Sequence, residues 1–345
     1  MGSHGFKGKE AKVPLIAGRE NVQGVYRDAA QRGWVIPAFG VENLTTAEAV
    51  LCAATQHGRR IGCADVPIIL AMTNLYPQRR QSANYTHTRK WDIGLRLFLA
   101  DLAVITSSES PFASPRVMVH LDHIQHDLDR PLLAWDMTGF SSIMFDASTL
   151  PFAQNIEATR KFMGTHGERI VVEAACDEIA AGGGASRELT TPDRAEEFLS
   201  KTRVDLVVAN LGSEHRASSA NVYYDSDRAR QIRERIGSRL VLHGCSSVPR
   251  NQLRTLFEDG IRKVNVWTAL ERDSSPKLMK EMVVNAAKVI GSEKAQLLKK
   301  EGLLGPKVDA SSSAQVDYFT TCYRQSVVFE AMKACVLDYL AIWYT

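Results

Sequence analysis

The sequence predicts an α/β fold, a (β/α)8 TIM barrel with extra C-terminal helices, on three observations. Short apolar, β-rich runs recur eight times; helix-period segments separate them; and beyond residue 272 the pattern becomes wholly helical. Strands that alternate with helices imply parallel βαβ units. Eight of them over about 250 residues is the count of a closed barrel. A doubly wound open sheet is the alternative, disfavoured because no glycine-rich phosphate turn follows the first run.

In chain order the runs are 34-WVIPAF, 67-PIILAM, 117-VMVHL, 141-SSIMF, 169-RIVVE, 204-VDLVVA, 239-RLVLH and 261-IRKVNV. Such near-continuous apolar runs suit strands covered on both faces. Between them, 44-LTTAEAVLCAATQHG reads as a helix with Asn43 as N-cap and Gly58 as the residue just past its end. The stretches 149-TLPFAQNIEATRKFM, 192-PDRAEEFLSKT and 250-RNQLRTLFEDG also carry helical periodicity. The segment 180-AAGGGASRELTTP-192 is rich in small residues and reads as a flexible connector or a lid. The last stretch, residues 315–345, reads as a long, partly aromatic helix, apolar on much of its circumference, that packs on the barrel or on a second subunit. The organisation expected is an N-terminal extension over 1–19, the barrel over 20–290 and a C-terminal helical extension over 291–345.

Composition narrows the function classes. A net charge of +3 over 345 residues, with no dense Lys/Arg stripe, argues against nucleic-acid binding. No run of 18 apolar residues is present, so no membrane span is expected, and the start lacks the apolar core of a secretory signal. The six cysteines are scattered without a CxxC pair, which fits reduced thiols and a cytoplasmic location. Neither a nucleic acid nor a membrane is thus expected as a partner, which is compatible with a small-molecule substrate.

In a barrel, functional groups come from the carboxyl ends of the strands. Those ends deliver Asp122 and His123, Asp146 and Ser148, Glu173, Ser213 and His215, His243 and Ser246, and Asn265 and Thr268. Three histidines at one mouth, His123, His215 and His243, suit a zinc site with an open fourth position. The local alternative is 117-VMVHLDHIQHD-127, where His120, His123 and His126 follow an H-x-x-H-x-x-H pattern. On an extended strand that pattern converges poorly, since His120 and Asp122 share one face while His123 points to the other. His120 then reads as a polar residue of the barrel interior and His126 as a loop residue facing solvent.

The segments 37-PAFGVEN-43, 118-MVHLDH-123, 139-GFSSIMFDASTLPFAQNIEATR-160, 204-VDLVVANLGSEH-215, 240-LVLHGCSSVP-249 and 258-EDGIRKVNVWT-268 resemble, in order and spacing, the class II, zinc-dependent fructose-bisphosphate and tagatose-bisphosphate aldolases. The resemblance runs from about residue 20 to about residue 290. It implies a (β/α)8 barrel that performs aldol or retro-aldol chemistry, with Zn2+ held by His123, His215 and His243. Asp122 would be the general acid/base for the C4 hydroxyl, and Asn265 would steady the enediolate. Ser246 and Thr268 would contact substrate phosphate, with Asn43 also on the substrate side. A homodimer is likewise implied.

The chain departs from that pattern at the rim. Ala175 stands where the family has a second glutamate, and the loop 181-AGGGAS-186 lacks the family's acid. Arg216 and Ser247 replace glycines, Trp267 replaces an aspartate, Ile124 stands where glycine is common, and Gly40 replaces an asparagine. An arginine offers a bidentate clamp and a tryptophan a flat apolar wall, so Arg216 and Trp267 join the substrate-binding set. Two expectations follow: a divergent zinc-dependent lyase whose substrate is not an ordinary sugar bisphosphate, or a pseudoenzyme that binds metal or metabolite on the same barrel.

Overall fold

The computed structural model describes residues 15–179, 188–213 and 224–345. Nine parallel strands form one sheet: β1 (Leu15–Ile16), β2 (Ile36–Gly40), β3 (Pro67–Thr73), β4 (Arg116–Gln125), β5 (Ser142–Asp146), β6 (Val171–Ala175), β7 (Leu206–Val208), β8 (Leu240–Leu242) and β9 (Ile261–Val266). β2 pairs with β9, and β4 pairs with both β3 and β5. Strands β2–β9 therefore close into an eight-stranded barrel, with helices between strands, as predicted. β1 continues the β5 side of β4 before β5 begins, placing Leu15 opposite Val117 and Ile16 opposite Met118.

The layer between strands and helices is apolar, with Phe39, Leu51, Ile69 and Phe98 fully buried. The barrel interior combines a small apolar cluster, including Met144, Val208 and Val241, with buried His120, Glu173 and Lys263. Burying a charged amine is costly unless it is paired. The Lys263 ammonium donates to Glu173 Oε1 and to Asn265 Oδ1, each at 2.7 Å. His120, read from the sequence as an interior polar residue, lies 3.2 Å from both Lys263 Nζ and Glu173 Oε1. His126 is half-buried rather than solvent-facing.

The helices follow the sequence with two corrections. Helix Leu44–Arg60 begins at Asn43, whose side chain accepts from Thr46 N, but it runs past Gly58. A Cβ at Gly58 would lie 2.6 Å from Cys63 O, so this glycine admits a close backbone, and Gly62 makes the left-handed turn at φ +70°. The second correction concerns 250-RNQLRTLFEDG, which forms only a single 3-10 turn at Gln252–Arg254. Its carbonyls are drawn elsewhere: Trp343 Nε1 donates to Leu253 O at 2.9 Å.

That tryptophan ends helix Thr321–Trp343, which packs against helices Leu44–Arg60 and Thr268–Val284 on the barrel wall. Tyr344 then locks the chain end. Its ring lies 4.7 Å from that of Trp34, its hydroxyl donates to Pro67 O at 2.6 Å, and its carbonyl bonds His57 Nε2 at 2.8 Å.

Removing the Tyr344 side chain leaves a cavity and takes from Pro67 O its bond to the hydroxyl. Tyr344→Ala is expected to cost about 3–5 kcal/mol of stability in denaturant unfolding. A loss below about 1 kcal/mol would show that the C-terminal helix is held by its flank alone.

Candidate metal and proton-transfer site

Strict strand alternation would send Asp122 and His123 to opposite faces of β4. The structure differs because β4 carries one extra residue: Leu121 faces Ile143, but Ile124 faces the residue two further on, Phe145. The bulge places His123 in the left-handed region at φ +49° and brings its side chain to the same mouth as Asp122. A non-glycine residue there is strained by about 1–3 kcal/mol unless its surroundings fix it. Here they do. His123 Nδ1 bonds Asp146 Oδ2 at 2.9 Å, and its ring stacks on Tyr76 at 4.6 Å. Asp146 is itself held by Gln125 Nε2 at 2.9 Å, Ser148 Oγ at 2.7 Å and Ser148 N at 3.1 Å.

His243, just past β8, meets His123 edge to face, with His243 Nδ1 3.2 Å from His123 Nε2. Ser213 Oγ donates to the His243 carbonyl at 2.6 Å and ties the ends of β7 and β8 together. Ligand atoms of Asp122, His123 and His243 all lie within 4.8 Å of one another. Burial lowers the His243 imidazole to about 4, against the opposing pull of Glu173 and Asp122, so the ring is neutral near pH 7. Neutral imidazole is the metal-binding form.

This donor set fits zinc. A carboxylate on His123 Nδ1 leaves the lone pair of Nε2 facing the cavity, the usual support for a ligating histidine. Two nitrogens of a tetrahedral zinc centre lie about 3.4 Å apart, close to the separation seen. The predicted His215 and Arg216, and the loop 181-AGGGAS-186, lie outside the described residues.

Asp122 faces the same cavity and is buried. Its Oδ1 accepts from Asn265 Nδ2 at 2.9 Å and its Oδ2 from Arg79 Nη2 at 2.5 Å. Burial alone would raise its carboxyl, but His123, Arg79 and His243 outweigh that and hold it well below the usual carboxylate range. The orientation of Asn265 is fixed from behind, because Lys263 bonds its oxygen and so aims its NH2 at Asp122.

The rim is arranged differently from the sequence expectation. Trp267 and Thr268 line the cavity with Ser246, but one face of the indole is already covered by the Arg79 guanidinium at 4.7 Å. Trp267 Nε1 donates to Glu42 Oε1 at 2.7 Å. Asn43 is exposed, spends its side chain capping its helix, and is not among the residues lining the cavity. A second cavity, of about 180 Å³, opens on the other side of His123, lined among others by Ser148, Ala175 and Glu178. The small side chain of Ala175 helps leave that space. Tyr76 and Arg79 were missed from sequence; both sit in the loop after β3, where no spacing distinguishes them from surface residues.

The sequence model of fructose-bisphosphate aldolase class-II matches residues 20–325. Among solved structures, the chain is similar to the YdjI aldolase of Escherichia coli K12, with 20% identity, a TM-score of 0.63, and coverage of 94% of this chain and 96% of that one. Fructose-bisphosphate aldolase of Campylobacter jejuni gives 14% identity and a TM-score of 0.71, over 97% and 98% of the two chains. A protein assigned as a fructose-1,6-bisphosphate aldolase of Coccidioides immitis gives 23% identity and 0.64, over 93% and 95%. At these identities the structural likeness speaks for the fold.

Glu271, in the first turn of the helix after Trp267, provides a pH test of the rim. Burial and the neighbouring Glu42 raise its carboxyl to about 7, and its Oε1 has no hydrogen-bond partner among the described residues. Between its ordinary value and about 7 the folded state holds the proton more tightly than the unfolded state, so this group's contribution to stability falls as pH rises through that window. Glu271→Gln is expected to gain thermal stability over the wild type at pH 8 and not at pH 5. Parallel melting temperatures across that range would contradict the assignment.

Proposed function

The chain belongs to the class II fructose-bisphosphate aldolase family, and we propose that it is a zinc-dependent aldol/retro-aldol lyase whose substrate is not an ordinary sugar bisphosphate. The observation that carries this reading is the bulge that puts Asp122 and His123 side by side at one mouth, with His243 and Asn265 converging on them.

His123 and His243 would hold the zinc, with His215 as the third ligand on the strength of the sequence resemblance. When bound, zinc supplies Lewis-acid stabilisation for the negative charge that develops on the substrate carbonyl oxygen. In the cleavage direction, the Asp122 carboxylate takes the proton of the hydroxyl two carbons from the carbonyl carbon. That oxygen becomes an aldehyde as the bond between the two intervening carbons breaks, and the electron pair moves toward the carbonyl. Asn265 keeps one amide proton on Asp122 and has a second for a substrate oxygen. Condensation is the same sequence reversed. Ser246 and Thr268 are the proposed hydroxyl contacts to substrate. A homodimer in the cytoplasm belongs to the same proposal.

The residues divide into two testable groups. Zinc-supplemented protein is expected to hold about one zinc per chain, His243→Ala to lose it, and Asp146→Ala to bind it about 10–100-fold more weakly. Asp122→Asn should keep zinc yet lose about 100–10,000-fold in turnover on whichever aldol is cleaved, in a screen of fructose and tagatose bisphosphates against non-phosphorylated aldols with EDTA controls. Unchanged turnover in Asp122→Asn would remove the proton-transfer role, and undiminished zinc in His243→Ala would remove the metal assignment.

A further inference from the structure

Arg79 stands out at the mouth because the arrangement around it exceeds what pairing with Asp122 requires. Its side chain is only 10% exposed. Of five N–H donors, Nη2 is spent on Asp122, and the buried Nε–H has no acceptor among the described residues. The guanidinium lies on the Trp267 indole, itself anchored to Glu42. Gly40 makes the room: a Cβ there would lie 3.0 Å from the indole and 3.2 Å from Arg79 Nη1. A lysine would neutralise Asp122 equally well without a flat shelf or a missing side chain. A planar fork needs both when it must present an edge to a second planar group.

Deepening the lyase reading, on which it rests, we infer that Arg79 is the receptor for a substrate carboxylate, carried by the aldehyde half of the molecule next to the reacting hydroxyl. Arg79 is thus a specificity-determining residue, bridging Asp122 on one edge and the substrate carboxylate on another. The two oxygens of a flat carboxylate match one edge of that fork, and the indole beneath holds the guanidinium plane in place to receive them.

The test uses the zinc-loaded full chain in the condensation direction, with dihydroxyacetone or its phosphate as nucleophile. Acceptors are glyoxylate, its methyl ester and glycolaldehyde phosphate. The wild type is expected to use glyoxylate about 100-fold better than the ester, and Arg79→Gln to shrink that ratio to about threefold through KM. Arg79→Lys should keep part of the preference, since it keeps the charge and loses the fork. Calorimetric titration with glycerate, against glycerol 3-phosphate, reads the same site without turnover; Arg79→Gln should weaken glycerate binding at least about tenfold. Equal use of acid and ester by the wild type, an unchanged ratio in Arg79→Gln, or a preference for the phosphorylated compounds would overturn the inference. Absence of all condensation, with glycerate binding still dependent on Arg79, would remove the lyase reading and uphold the carboxylate receptor. Binding indifferent to Arg79 would overturn the receptor as well.

Discussion

A strand that alternates without interruption can offer only one of two neighbouring side chains to a barrel mouth, and the site described here needs both Asp122 and His123. The extra residue in β4 resolves this, and much of the site depends on it. The left-handed backbone at His123 is tolerable because Asp146 and Tyr76 hold the ring on two sides. Asp146 serves two ends at once: it fixes the strained turn and sets which nitrogen of His123 faces the cavity. Local strain and the positions of the proposed zinc ligand and acid/base thus hang on one bulge.

A second constraint reaches the site from inside the barrel. Glu173, Lys263, Asn265 and Asp122 form a hydrogen-bonded chain that runs from the buried interior to the mouth. Removing Glu173 or Lys263 would strand the opposite charge in the barrel interior rather than break a single bond. Glu173, expected from the sequence at a strand end, lies mid-strand in β6 inside the barrel, where it neutralises the lysine that aims Asn265. His120 belongs to the same interior network, bonded to Ser142 Oγ at 2.8 Å.

The sequence was most legible where a physical period or a cap governs it. Eight apolar runs became eight barrel strands, Asn43 capped its helix, and 192-PDRAEEFLSKT became helix Pro192–Thr202. It was least legible where distant chain decides the outcome. The 250-RNQLRTLFEDG segment has a helical period, but Trp343, ninety residues further on, takes one of its carbonyls. Asp122, His123, His243 and Asn265 could be picked out because they end strands, and the structure brings these four together. Arg79 could not, because its meaning comes from Trp267 beneath it and Gly40 beside it, positions 188 and 39 residues away. Gly40 and Trp267, two separate departures when read along the chain, are in space one adjustment: the absent side chain makes room for the indole.

The central claim is that the bulged strand presents His123, with His243, as imidazole ligands to zinc while Asp122 stays free for proton transfer. Zinc K-edge X-ray absorption on the zinc-loaded chain tests it most directly. The account predicts a first shell dominated by imidazole nitrogen at about 2.0–2.1 Å, with the multiple-scattering pattern of histidine and no sulfur shell near about 2.3 Å. A thiolate shell, or a spectrum of hydrated zinc without imidazole, would contradict it.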